Sequence, residues 1–94
     1  MRGKEIRTAK VVENIRQILL YEWDPIGVKE IPEARDEYDS YVSGVYRLLT
    51  SNISAQQIAE HLAKVESEQM GLNPQPMQHL LQIANHLLSI DVQL

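Results

Sequence analysis

Apolar residues recur at three- and four-residue spacing in four separate stretches of this chain, and no run reads as a credible strand. In the first, Val11, Val12, Ile15, Ile18 and Leu19 form the stripe of an amphipathic helix, predicted from about Glu5 to Tyr21. Pro25 stops it, because the residue before a proline is pushed out of the α region. Residues 23–33 read as a loop broken by Pro25, Gly27 and Pro32. Within it Ile26, Val28 and Ile31 alternate, which predicts an ordered connection that lays apolar side chains on the rest of the fold.

The second helix is predicted from about Glu33 to Ser51. Its stripe is Tyr38, Tyr41, Val42, Val45, Leu48 and Leu49, and Glu33, Asp36 and Glu37 occupy its first turns, where the helix dipole favours negative charge. Gly44 falls inside it at a cost of about 1 kcal/mol relative to Ala, which close packing on another helix would explain. The third helix has the clearest start. Ser54 and Gln57 make a capping box, Ile58, Leu62 and Val65 form the stripe, and Gly71 is placed to cap the end. The fourth follows Asn73-Pro74-Gln75-Pro76. Its apolar face of Met77, Leu80, Leu81, Ile83, Ala84, Leu87, Leu88 and Ile90 is wide enough to predict the most buried helix. Short connections favour antiparallel neighbours, so the expected fold is all-α, a small four-helix bundle over residues 1–94 as one domain.

Charge changes the picture by its distribution rather than its total of −4. Residues 1–16 carry five basic and two acidic side chains, whereas residues 22–39 carry two basic and seven acidic. Nucleic-acid affinity needs clustered Lys and Arg, so the acidic segment points to a basic protein partner instead. The chain has no Cys, which excludes disulfides, thiolate metal sites and Cys nucleophiles and fits a cytoplasmic location. No apolar run approaches the length of about 20 residues that spans a membrane, and no signal peptide is visible.

Candidate chemistry is sparse. His61, His79 and His86 are dispersed and form no HExxH motif, and there is no GxSxG, phosphate loop or dinucleotide fingerprint. The row Glu33, Asp36, Asp39 and Ser43 has three readings: a solvated acidic face, a partner-binding face, or the ligands and acid–base pair of a metal-dependent enzyme. No calcium loop or second ligand cluster completes the last. Trp23 reads as a plug at the bundle end, its indole N–H bonded to a loop carbonyl, or as an anchor for a partner. Asp24 reads as a turn residue whose carboxylate holds nearby amides. Tyr46 falls beside the apolar stripe and is the better placed tyrosine for an exposed contact.

The segment Tyr21-Glu22-Trp23-Asp24-Pro25-Ile26-Gly27-Val28, with Pro32, Asp36-Glu37-Tyr38-Asp39, Tyr41, Ile58-Ala59 and Met70-Gly71-Leu72, resembles a family of small bacterial helical proteins of unknown function. The resemblance covers roughly residues 12–90 and implies a fold, not an activity. In size, acidity and lack of catalytic residues the chain is also similar to immunity proteins encoded beside bacterial toxins. The expectation is a protein without enzymatic activity, cofactor or metal. It is expected to bind a basic partner, such as the nuclease domain of a toxin, through Trp23, Asp24, Glu33, Asp36, Asp39 and Tyr46. The alternatives are a housekeeping or regulatory interaction protein, and a metal-dependent enzyme using Asp36 and Asp39.

Overall fold

The structure, a computed structural model, describes the backbone of residues 2–90 and the side chains of residues 8–90. Four α-helices follow in order: α1 (Arg2–Ile18), α2 (Asp39–Thr50), α3 (Ala55–Lys64) and α4 (Met77–Leu88). There is no strand among the described residues. α3 packs most extensively on α4, and α1 contacts both α2 and α4. The all-α bundle expected from the periodicity is therefore the fold.

Two helices run on past their α-helical ends into a single wider turn. α1 continues as a π-turn over Leu19–Trp23, and α3 as another over Val65–Gln69. The extra residue per turn rotates the chain, so that consecutive Leu19 and Leu20 are both buried with Trp23, and consecutive Val65 and Glu66 likewise. The first helical run thus ends at Trp23, two residues beyond the predicted Tyr21. Asp24 takes a left-handed conformation (φ 33°) and its N–H closes on the Leu19 carbonyl at 2.9 Å. The second run ends as its sequence predicts, with Gly71 left-handed (φ +67°) just past it and the Leu72 N–H reaching the Glu66 carbonyl at 2.8 Å.

The second helix departs from expectation. It begins at Asp39, not Glu33. Residues 31–41 instead wind in three-residue turns, with N–H to carbonyl bonds from Ala34 to Ile31, Glu37 to Ala34, Asp39 to Asp36 and Tyr41 to Tyr38. The physical reason lies at Tyr38, which is buried against Trp23 and tied through its hydroxyl to Asp24. That tertiary anchor overrides the helical propensity of the acidic residues before it.

The loop between α1 and α2 is ordered, but not by burying its three aliphatic residues. Ile26 and Ile31 are exposed, and only Val28 packs on the core. The Asp24 carboxylate explains this, for it accepts the Val28 N–H at 2.7 Å and draws that residue inward. Among the described residues α4 buries more side chains than any other α-helix, as its wide apolar face predicts. Leu80, Ile83, Ala84 and Leu87 face inward, while Met77 and Leu88 are exposed. α1 adds Val11, Ile15 and Ile18 to the core, and its π-turn adds Leu19, Leu20 and Trp23. Gly44 has the Nε2 of His61 3.8 Å from the position a Cβ would take, an ordinary contact distance, so close packing does not require glycine there.

Candidate functional site

The conspicuous Trp-Asp-Pro-Ile-Gly-Val segment turns inward. Trp23 is 1% exposed, with the ring of Tyr38 at 5.4 Å and that of Tyr41 edge-on at 5.9 Å. It plugs the core as the first of its two readings has it, but its indole N–H bonds no loop carbonyl. That N–H is the one buried side-chain polar atom among the described residues without a hydrogen-bond partner. The polar tie of this residue runs through its main chain, whose carbonyl accepts from Gln75 Nε2 at 3.1 Å.

Asp24 is the organiser of the loop. Its carboxylate accepts the Val28 N–H at 2.7 Å, the Lys29 N–H at 3.3 Å and the Tyr38 hydroxyl at 2.7 Å. The Tyr38 oxygen in turn accepts the Ile26 N–H at 3.2 Å. Burial pushes the Tyr38 phenol well above its ordinary value, with the carboxylates of Asp24 and Glu37 adding to the shift against the opposing Ile26 N–H, so it stays a donor. Trp23 and Asp24 thus spend their chemistry inside the molecule.

The carboxylate row comes together differently. Glu33, Asp36 and Asp39 line a depression of about 400 Å³ with Glu13, Arg16, Arg35 and Tyr21. Arg16 sits between two of the carboxylates, 2.9 Å from Asp39 Oδ1 and 2.9 Å from Glu13 Oε1. Asp39 is therefore half of an ion pair joining α1 to α2. Glu33 and Asp36 are exposed and have no ion-pair partner among the described residues. Tyr21, half exposed, forms the wall of the cleft. Among the described residues no three Asp, Glu or His side chains converge into a set able to hold a metal ion. Tyr46, expected as an exposed contact, is half-buried and lines a neighbouring depression rather than this one.

The histidines stay apart. His86 Nδ1 lies 2.6 Å from Glu22 Oε2, bracing α4 against the end of α1. His61 is half-buried on α3, and burial, with Lys64 nearby, lowers its affinity for a proton. His79 is exposed.

Glu66 is the residue that reading the sequence missed. It is fully buried, and its carboxylate accepts from the main-chain N–H of Gln75 at 3.2 Å and the Gln75 side-chain amide at 3.3 Å. The signal was present, since Glu66 stands four residues after Leu62 and eight after Ile58, on the apolar stripe itself. Gln75 therefore links the end of α3 to the end of α1.

Comparison with known proteins found no family model, no curated protein and no solved structure that matches this chain. Among the described residues no helix is long and apolar enough to cross a membrane.

Proposed function

We propose that the protein is a non-catalytic binding module whose acidic cleft receives a basic protein surface, in the manner of an immunity or antitoxin-like protein covering a toxin. The observation that carries this reading is that Glu33 and Asp36 are exposed, with no ion-pair partner among the described residues, beside the half-exposed Tyr21. Uncompensated carboxylates speed encounter with a cationic surface, and an aromatic wall supplies the apolar contact that slows release. A nuclease domain, cationic where it holds nucleic acid, matches such a cleft. Trp23 and Asp24 serve this surface indirectly, by fixing the loop that carries Glu33.

The test is coexpression with the product of the reading frame beside its gene. If that product arrests growth, the wild-type chain is expected to restore it, and the isolated complex to weaken as salt rises. Glu33→Lys with Asp36→Lys should abolish rescue while leaving the helical circular dichroism intact. Asp39 is left untouched because its partner is Arg16. Rescue by the double variant at the wild-type level would refute the reading. A tight complex with a harmless neighbour would keep the binding module and move its role to regulation.

A further inference from the structure

The acidic cleft is one end of a longer trough. Beyond the Arg16–Asp39 pair the seam between α1 and α2 opens into a second depression of about 550 Å³, which shares those two residues with the first. Its character is different. Val12, Val42 and Tyr46 supply the floor, and Arg47 stands at its side. Val12 and Tyr46 are half-buried, so among the described residues apolar surface still faces outward here. From Val42 to Thr50 the lining follows α2 for about 12 Å, the length of roughly two turns of a second helix.

We propose that this trough receives an amphipathic helix of the partner, apolar along one face and rich in Lys or Arg at one end. The inference rests on the basic-partner reading and gives that partner a shape. A trough about two turns long, with Val12, Val42 and Tyr46 as its apolar floor, takes the apolar i, i+3 and i+4 side chains of a helix, the usual anchors of helix-in-groove recognition. The charges fix its direction. Four carboxylates face two guanidiniums in the acidic cleft, and Arg16 is already held by Glu13 and Asp39, so Glu33 and Asp36 stand beside Arg35 alone and leave an excess of negative charge there. Arg47 lies at the apolar end and disfavours a cation there. The basic end of the bound helix therefore lies over Glu33 and Asp36, and its apolar face over Val42 and Tyr46.

Synthetic peptides test this on the protein as it stands. The probe is a Leu/Lys helix of about four turns, its leucines on one face and its lysines gathered at one end; the references are oligolysine and a Leu/Glu helix of the same pattern. Amide shifts from the Leu/Lys helix should centre on Val12, Val42 and Tyr46 and extend to Asp36. Its affinity should exceed that of oligolysine by about tenfold or more, and the Leu/Glu helix should not bind. Tyr46→Asp should remove that advantage. So should Ser43→Arg, which changes an exposed side chain on the trough wall and leaves the core alone. Oligolysine binding should survive Tyr46→Asp and fail in Glu33→Lys with Asp36→Lys. Equal affinity of the two cationic peptides, unmoved by either trough variant, would overturn the trough and spare the basic-partner reading. Failure of both peptides to bind would overturn both. A dimer in sedimentation equilibrium that dissociates on Ser43→Arg would assign the trough to a second copy of the chain and overturn the proposal.

Discussion

Replacing Asp24 separates two jobs that the wild-type side chain does at once. Its carboxylate accepts two bonds of 2.7 Å, from the Val28 N–H and the Tyr38 hydroxyl, and a weaker one of 3.3 Å from the Lys29 N–H. Its backbone sits at φ 33°, a left-handed conformation that Asn and Gly tolerate and Ala does not. Hydrogen bonds to a charged group contribute about 1.5–3 kcal/mol each, and the lower figure applies to this half-buried site. Asp24→Ala loses both strong bonds, leaves the buried Tyr38 hydroxyl without its acceptor and adds strain, for a total cost of about 4 kcal/mol. Asp24→Gly loses the same bonds without the strain and costs about 3 kcal/mol. Asp24→Asn keeps the conformation and one acceptor oxygen, and costs about 1 kcal/mol. Urea unfolding followed by circular dichroism reads these directly. With a slope of about 1.5 kcal/mol/M, the Ala variant should unfold about 2.5 M earlier than wild type. The order Asn, Gly, Ala is the sharper claim. A Gly variant less stable than Ala would mean that the backbone at residue 24 is not held left-handed. A midpoint unchanged in all three would refute the account of the loop.

Other outcomes follow from the same geometry. Gly44→Ala should stabilise the protein by about 0.5–1 kcal/mol, because a Cβ there meets His61 at an ordinary distance; a lower melting temperature would show that α2 and α3 pack more tightly than described. Ser54→Ala should cost about 1 kcal/mol, since the Ser54 hydroxyl accepts the Gln57 N–H and the Gln57 side chain returns the bond; equal denaturation midpoints would count against the capping box. For His61 the folded protein binds a proton less readily than the unfolded chain, so stability falls as pH drops through the ordinary histidine value of about 6.5 and levels off below the folded pKa. His61→Gln should flatten that part of the profile, and parallel profiles for variant and wild type between pH 7.5 and about 5 would remove His61 as its source.

What could be read from the sequence was what repeats locally. The stripes of α1, α3 and α4, the Ser54 cap and the Gly71 stop each follow from residues within two turns of one another. What could not be read depends on contacts made at a distance. The start of α2 moved to Asp39 because Tyr38 is claimed by Trp23 and Asp24, more than a dozen residues away. Asp39 looked like one carboxylate in a row, yet it pairs with Arg16 across 23 residues. Ile26 and Ile31 looked like core residues because alternation records periodicity, not which carboxylate gathers the backbone between them. Of the proposed site, the acidic character was visible and its division into paired and free carboxylates was not. Glu66 was hidden by its charge, although its position on the stripe already called for burial.

The tie from Glu66 through Gln75 to the Trp23 carbonyl sets an order on how the molecule assembles. Its longest link spans 52 residues, whereas only the π-turn and residues 70–76 lie between α3 and α4. Closing the short loop costs less chain entropy, so the α3–α4 hairpin is the half that can form first. Gln75 is positioned only once that hairpin exists, and only then can it receive the end of α1. The acidic cleft, built from α1 and the segment before α2, is therefore expected in the half that docks second and opens first. In native-state hydrogen exchange its amides should be among the earlier to exchange, ahead of those at the α3–α4 contact. A partner seated in the cleft would slow that exchange, and the slowing would reach Trp23 through the same amide that fastens it.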